Sequence, residues 1–222
     1  MTWFDVPWSL DSDTTIKPLC GQQEGAVVSY NLRKPGRPAH SYHTYLMARL
    51  RLVLGVEVKA GNEHSGSHTL PGLLRILDEL PAHHKPKMVR GDCGFGSDGI
   101  MRELEARTQP YLFKLRLSKN VKRHIERLFR VSGWRDAGQG WEGIDSTLAL
   151  TGWEDTRRVV VLRRPASATT TEPPFPGSVA TMASSGTVVS ATRMTAYSSV
   201  ETRGESGVSW KDSENWSMAE FR

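Results

Sequence analysis

The chain has 222 residues, 38% of them apolar, and a net charge of +5, which suits one globular domain of good size. No apolar run approaches the roughly 18 residues that span a membrane, and residues 1–5 lack the basic start of a signal peptide, so we expect a cytoplasmic protein. Cys20 and Cys93 are the only cysteines, which excludes a disulfide framework and a CxxC metal pair.

The first predicted elements are three strands. Residues 8–16 form a strand that Pro18 ends, and residues 25–30 follow a glycine-bounded turn as its predicted hairpin partner. A third strand begins within residues 42–47 and is clearest in residues 50–58, where apolar side chains recur at period two. The short connections favour antiparallel pairing of the three strands.

Two helices and two strands are then predicted in alternation. Leucines at helical spacing fill the segment from Pro71 to Pro81, and a second amphipathic helix follows Ser97. Residues 87–90 form a short buried strand, and residues 111–117 form a further alternating one. The resulting order, β-β-β-α-β-α-β, predicts a mixed α/β sheet of the ribonuclease-H-like class, with the first and fourth strands adjacent at the sheet centre.

The segment after these elements is predicted to form a basic amphipathic helix. Its apolar stripe begins at Val121, and its other face is basic. The basic side chains are Lys119, Lys122, Arg123, Arg127 and Arg130. Two interpretations stay open for this pattern: a face that follows a phosphate backbone, and an ordinary solvated helix face.

The chain changes character in its last third. Residues 131–164 are rich in Gly and Trp, with one convincing strand at 157–162, and they predict a partial β-rich insertion region after a core at 8–130. Residues 165–222 contain no Leu or Ile, and 19 of these 58 residues are Ser or Thr, so we expect a poorly ordered tail. A natural linker and a frameshifted reading of a GC-rich gene both explain that composition.

Positive charge is concentrated in the part of the chain with periodic structure. Residues 1–164 hold 25 of the 29 Lys and Arg against 18 of the 24 Asp and Glu, a net +7, whereas the remainder has 4 against 6, a net −2. A basic domain that presents acidic metal ligands suits a polyanionic substrate. A soluble basic domain without such a substrate is the plainer alternative.

Two strand-borne aspartates are the candidate metal ligands. Asp13 lies in the first strand and Asp92 follows the fourth, so adjacent strands bring them together. Asp11 faces the same side as Asp13, because side chains two apart in a strand share a face. Aspartate is depleted in strands and costly to bury without a compensating charge. A cap or turn role remains the alternative for both Asp13 and Asp92.

Five segments in this order resemble the insertion-sequence transposases of the DDE class. They are residues 10–15 (LDSDTT), 21–26 (GQQEGA), 30–38 (YN, then KPGRP), 90–95 (RGDCGF) and 111–120 (YLFKLRLSKN). The resemblance implies that Asp13 is the first catalytic acid, with Asp11 as the fallback, and that Asp92 is the second. It also implies a ribonuclease-H-like catalytic domain that cleaves and joins DNA during transposition.

The resemblance further implies the cofactor and the partners. We expect two Mg²⁺ or Mn²⁺ ions in an intact member of the family, held between the carboxylates. The expected partner is double-stranded DNA, as transposon ends and target, with a possible homodimer and a bacterial, nucleoid-associated location. The predicted DNA-binding residues are Lys34, Arg37, Lys119, Lys122, Arg123 and Arg127.

The sequence departs from the family at its third acid. The family carries a glutamate within a Tyr-x-x-Arg-x-x-x-Glu-x-x-x-x-x-x-Lys pattern, and no segment here fits it, so we transfer the role to none of Glu201, Glu205 and Glu220. We therefore expect a truncated or frameshifted copy with impaired activity. Two alternatives are a metal-dependent nuclease, which needs a third acid such as Glu57 or Glu24 near the pair, and a non-catalytic DNA-binding remnant.

Histidines and cysteines give weaker signals. Three histidine pairs could suggest zinc: His40 and His43, His64 and His68, and His83 and His84. They fall in predicted loops without cysteine partners, so we expect solvent-exposed side chains instead. Cys93 has no histidine at a spacing that indicates a nucleophile, so we expect a small residue packed behind the site.

Overall fold

The computed structural model describes residues 6–21, 23–29 and 35–163, together with the backbone of three short strands at 179–184, 191–192 and 217–218. Ten of the described strands form one mixed sheet in the order β2-β3-β1-β5-β6-β10-β9-β8-β7, with β4 on the outer side of β3. In chain order these strands are β1 Ser9–Pro18, β2 Val27–Val28, β3 Pro38–Met47, β4 Leu52–Ala60, β5 Met88–Gly91, β6 Tyr111–Lys114, β7 Arg135–Gly138, β8 Trp141–Leu148, β9 Arg157–Arg163 and β10 Val179–Ser184.

Four helices lie among the described residues, and two further short strands pair with each other. The helices are α1 Ser65–His68, α2 Leu70–Glu79, α3 Asp98–Ala106 and α4 Lys119–Leu128, and the strand pair is β11 Ala191–Thr192 with β12 Ser217–Met218. None of the described helices is long and apolar enough to cross a membrane.

The predicted ribonuclease-H-like class is confirmed by the order of elements and by the mixture of pairings. β1, β3 and β4 pair antiparallel, whereas β1, β5 and β6 pair parallel, with β1 beside β5 at the centre. The predicted helices after Pro71 and Ser97 are α2 and α3, and the predicted basic helix is α4. The predicted tail falls largely outside the described residues, apart from the strands β10, β11 and β12.

The hairpin prediction for the first strand was wrong. β2 is only two residues long and pairs with β3, and the antiparallel neighbour of β1 is β3. The predicted third strand is in fact two strands, because the 3-10 turn Ala48–Leu50 and Arg51, at φ +52°, reverse the chain between β3 and β4. A tight turn built around a non-glycine residue at positive φ has a weak sequence signature.

The sheet has two unlike faces. Leu10, Tyr45, Val89 and Tyr111 are fully buried on one of them, where they join a core cluster with apolar residues of α2, α3 and α4. We call this the helical face. Residues one step along each strand point to the other side. This second face, which we call the carboxylate face, carries Asp11 and Asp13 on β1 and the exposed Val53, Val56 and Val58 on β4.

A buried arginine joins the late strands to the helical layer. Arg157 of β9 has a side chain that is only 3% exposed, and it donates to Asp98 of α3 at 2.6 Å and to Glu105 of the same helix at 2.8 and 3.0 Å. Its guanidinium also lies over the Trp153 ring. Burial alone would raise the pKa of Glu105, but the hydrogen bonds from Arg157 and Tyr111 hold it below its usual range.

We predict that Arg157→Ala lowers the free energy of unfolding by about 3–5 kcal/mol, because it leaves two partly buried carboxylates without their partner. Chemical denaturation measures this loss. The neighbouring Arg158 pairs with Asp145 at the surface, so Arg158→Ala is the matched control and should cost about 1 kcal/mol or less. Equal losses for the two variants would show that Arg157 is not the connection described.

Candidate functional site

The parallel pairing of β1 with β5 brings the two candidate aspartates together. The paired positions run from Ser9 opposite Met88 to Ser12 opposite Gly91. Asp13 and Asp92 are the next residues on each chain, so they lie side by side where β5 ends. Ser12 and Gly91 face the helical layer, and the aspartates one step further on are exposed.

The turn after β5 depends on two glycines and a buried ring. A Cβ on Gly91 would lie 2.7 Å from the ring of Phe95, which is fully buried against Phe113. A Cβ on Gly94 would collide with the hydroxyl of Ser65, the first residue of α1. The chain therefore turns sharply after Gly91 and leaves Asp92 at the carboxyl end of the strand.

The Asp92 carboxylate accepts a hydrogen bond from the backbone, but its surroundings disfavour its charged form. Gly94 N–H donates to its Oδ1 at 2.8 Å, which is the turn contact that the sequence left open as an alternative. Surrounding protein atoms desolvate the carboxyl and raise its pKa, and the negative charge of Asp13 raises it further. The Gly94 hydrogen bond and the charge of Lys114 act in the opposite direction without cancelling this. The Asp13 carboxylate is therefore close enough to affect the pKa of Asp92.

Asp13 keeps most of its hydrogen-bonding capacity. Its side chain is exposed, and the Thr15 hydroxyl donates to its Oδ2 in a long contact of 3.4 Å. This is the local contact expected for a cap or turn aspartate. Both oxygens of an ionised carboxylate can accept further bonds or bind a cation.

Asp11, the fallback ligand, is engaged elsewhere. Arg90 lies opposite it in the β1–β5 register and donates from Nε to Oδ1 at 2.6 Å and from Nη2 to Oδ2 at 2.7 Å. Burial raises the pKa of Asp11, although the hydrogen bonds and the charge of Arg90 oppose the shift. This bidentate pair uses both carboxylate oxygens, so Asp13 is better placed than Asp11 to bind a cation beside Asp92.

A third carboxylate does not join the pair in the part of the chain described. Among the residues at 6–21, 23–29 and 35–163, no three His, Cys, Asp or Glu side chains are grouped closely enough to hold a metal ion. In the register across β4, β3 and β1, Glu57 lies opposite His43, which lies opposite Thr14. Thr14 and Asp13 are adjacent on β1 and point to opposite faces, so Glu57 lies on the helical face. There it contacts Tyr45, Lys59 and Arg75.

Basic side chains lie near the same sheet edge. β6 runs parallel to β5, so the carboxyl ends of both strands lie at the same end of the sheet. Asp92 follows β5 there, and the start of α4 follows β6. The predicted DNA-binding residues of α4 are all exposed, and so is Arg37, whose guanidinium contacts the Cys20 sulfur. Lys34 lies outside the described residues.

The sequence-based list of basic residues missed two positions at this edge. Desolvation raises the pKa of both Asp92 and Cys93, and the positive charge of Lys114 opposes both shifts, while the charge of Arg116 opposes that of Cys93. Both residues belong to the segment 111–120 that carried the family resemblance. Their position at the end of a parallel strand next to β5 was the signal that would have found them.

The expectations for histidine and cysteine need correction in part. His43 is fully buried in β3, where its Nε2 lies 3.0 Å from the Glu63 carbonyl oxygen, so it is not the exposed side chain that we expected. Cys93 is exposed rather than packed behind the site. Nearby protein atoms still desolvate the thiol in part, and this effect and the neighbouring Asp92 charge raise the pKa of Cys93, which disfavours the thiolate that a nucleophile needs.

We predict opposite shifts in the pKa of Asp92 for two substitutions. Asp13→Asn removes a charge that raises this pKa and should lower it, whereas Lys114→Gln removes a charge that lowers it and should raise it. Carboxyl ¹³C chemical shifts followed through a pH titration measure both. Asp145→Asn, in β8, is the control and should leave Asp92 unchanged. An unchanged Asp92 titration in Asp13→Asn would mean that the two carboxylates do not interact.

The comparisons with known proteins identify a family for this chain. Residues 7–183 match the Transposase DDE domain family. A similar solved structure is that of a piggyBac transposase synaptic complex with hairpin DNA, at a TM-score of 0.46 and 11% identity, covering 79% of this chain and 32% of that one. No curated protein matches the sequence. Because the family match covers well over half of its residues, the chain belongs to the DDE transposase domain family.

Proposed function

We propose that this chain binds double-stranded DNA at a transposase metal site centred on Asp13 and Asp92, and that the phosphodiester chemistry of this site in transposition is impaired here. The observation that carries the proposal is the β1–β5 register, which puts these two carboxylates side by side at the end of parallel strands in a chain of the DDE transposase domain family. The exposure of both residues leaves room for a substrate as large as a DNA duplex.

The donor set fits a divalent cation. Carboxylate oxygens are the ligands that Mg²⁺ and Mn²⁺ prefer, and Asp13 and Asp92 would hold the ion between them. Desolvation and, to a smaller extent, the charge of Asp13 raise the pKa of Asp92, and a bound cation would offset both effects. In sites of this class the bound metal supplies activation of water or of a DNA 3′-hydroxyl and stabilisation of the leaving oxygen.

The chain's own residues bind and orient the DNA. Lys119, Lys122 and Arg123 near the start of α4, with Lys114 and Arg116 ahead of it, form a basic surface at the edge where Asp92 lies. Such a surface attracts the phosphate backbone whatever the base sequence, because binding releases condensed counterions. It would hold a phosphodiester near the carboxylates.

We further propose that cleavage by this chain is impaired. The family resemblance calls for a third acid within a Tyr-x-x-Arg-x-x-x-Glu pattern, and the full sequence contains no segment that fits it. The nuclease alternative required Glu57 or another acid near Asp13 and Asp92, and Glu57 lies on the opposite face of the sheet. DNA binding with little or no cleavage is the behaviour that these residues support best.

We predict salt-dependent binding of duplex DNA that depends on the basic surface and not on the carboxylates. Each single replacement by Gln, at Lys119, Lys122 or Arg123, should reduce by about one the steepness with which the log of the DNA-binding constant falls against the log of the salt concentration. Fluorescence anisotropy over a salt series measures the slope. Lys87→Gln is the matched control. Lys87 is exposed, but it precedes β5 and therefore lies at the amino end of that strand, whereas Asp92 lies at its carboxyl end.

The same protein incubated with labelled DNA and Mg²⁺ or Mn²⁺ tests the second half of the proposal. We expect full binding and no metal-dependent nicking above background, with binding retained in Asp13→Asn and Asp92→Asn. Nicking that needs metal and disappears in Asp92→Asn would overturn the claim of impairment. Binding that is insensitive to salt and to the α4 substitutions would overturn the DNA-binding function itself.

A further inference from the structure

Exposed apolar side chains are concentrated on β4. Among the described residues, eight large apolar side chains are exposed, and half of them belong to this strand. They are Leu52, which opposes Met47 on the helical face, and Val53, Val56 and Val58, which share the carboxylate face. A contiguous exposed apolar patch usually marks an interaction surface or an aggregation hazard, whereas single exposed apolar residues need no explanation.

The outer edge of β4 is also unpaired in the part of the chain described. β4 hydrogen-bonds to β3 on one side, and no described strand pairs with its other side. An edge strand presents a row of N–H and C=O groups that another strand can complete. The stretch from Val56 to Ala60 is regular, because the irregularity in the β3–β4 register lies earlier, near Gly55.

Charges on β4 are arranged so that the strand complements itself. Glu57 and Lys59 flank Val58 and both point to the helical face. If two copies of β4 pair antiparallel about a two-fold axis at Val58, each Glu57 lies opposite Lys59 of the other copy. On the carboxylate face, Val58 then meets Val58 and Val56 meets Ala60. Opposite charges and apolar pairs directly across an antiparallel ladder each stabilise it.

We propose that β4 is a homodimerisation edge, at which two copies of the chain join their sheets through antiparallel β4 pairing centred on Val58. The interface is isologous, as a two-fold dimer requires. It leaves Asp13 and Asp92 uncovered, because β3 lies between this edge and Asp13, and both β3 and β1 lie between it and Asp92. The inference is independent of the proposed function, since it rests on the edge, the apolar residues and the charge pattern of β4 alone.

The residues after β10 are the other candidate occupant within the chain. β10 ends at Ser184, and β6, β5, β1 and β3 lie between it and β4. Residues 185–222 contain no Leu or Ile, and their four valines are spread over 21 residues and do not alternate as the valines of β4 do. A second copy supplies an identical apolar and charged strand, which is why it fits the edge better.

Sedimentation equilibrium of the full chain tests the proposal. We expect a reversible dimer, weakened about tenfold by Val58→Glu, which removes the central valine pair and sets two carboxylates directly opposite each other. Val131→Glu is the matched control, because Val131 is 49% exposed against 56% for Val58 but lies beyond α4, and it should leave the dimer unchanged. Equal weakening by both variants would overturn the assigned edge.

Disulfide trapping provides a second measurement of the register. In a Cys20→Ser, Cys93→Ser background, Val58→Cys should form a disulfide-linked dimer, because residues directly opposite in such a ladder lie about 5 Å apart. Val131→Cys should not. A chain that is monomeric at every concentration, with β4 amides protected from hydrogen exchange, would overturn the proposal and assign the edge to a segment of the same copy.

Discussion

The parallel pairing of β1 with β5 is the constraint on which the site depends. The register is set on one face by buried apolar side chains such as Leu10 and Val89, and on the other by the bidentate pair between Asp11 and Arg90. A slip of one residue would exchange the two faces of β1, bury Asp11 and Asp13 among the helices and expose Leu10. Both sets of contacts therefore favour the one register in which Asp13 lies beside Asp92.

The residues that stabilise the fold and the residues of the candidate site lie on different faces of the sheet. Packing against α2, α3 and α4 and the buried Arg157 network lie on the helical face, where substitutions act mainly on folding. The carboxylate face carries the charged pair and, at the sheet edge beside it, the basic residues before and within α4. A substrate that reaches Asp13 and Asp92 meets little of the core, which is consistent with a site for a large and flexible polyanion.

Much of this arrangement could be predicted from sequence because its signals are local. Helical leucine spacing, proline stops and the strand ending at Gly91 predicted α2, α3 and β5, and the element order then made Asp13 and Asp92 neighbours. Two other pairings could not be predicted: β2 joins β3 rather than β1, and β10 inserts between β6 and β9. The partnership of Asp11 with Arg90 and the face that Glu57 occupies also depend on register, which residue spacing alone does not specify.

Binding of Mn²⁺ to the full chain, followed by electron paramagnetic resonance, tests the paired-carboxylate site most directly. The account predicts saturable binding that Asp13→Asn and Asp92→Asn each abolish, and that Asp11→Asn retains because Arg90 already engages both oxygens of Asp11. Circular dichroism confirms that each variant is folded. Binding that survives both Asp13→Asn and Asp92→Asn, or that is lost only in Asp11→Asn, would contradict it.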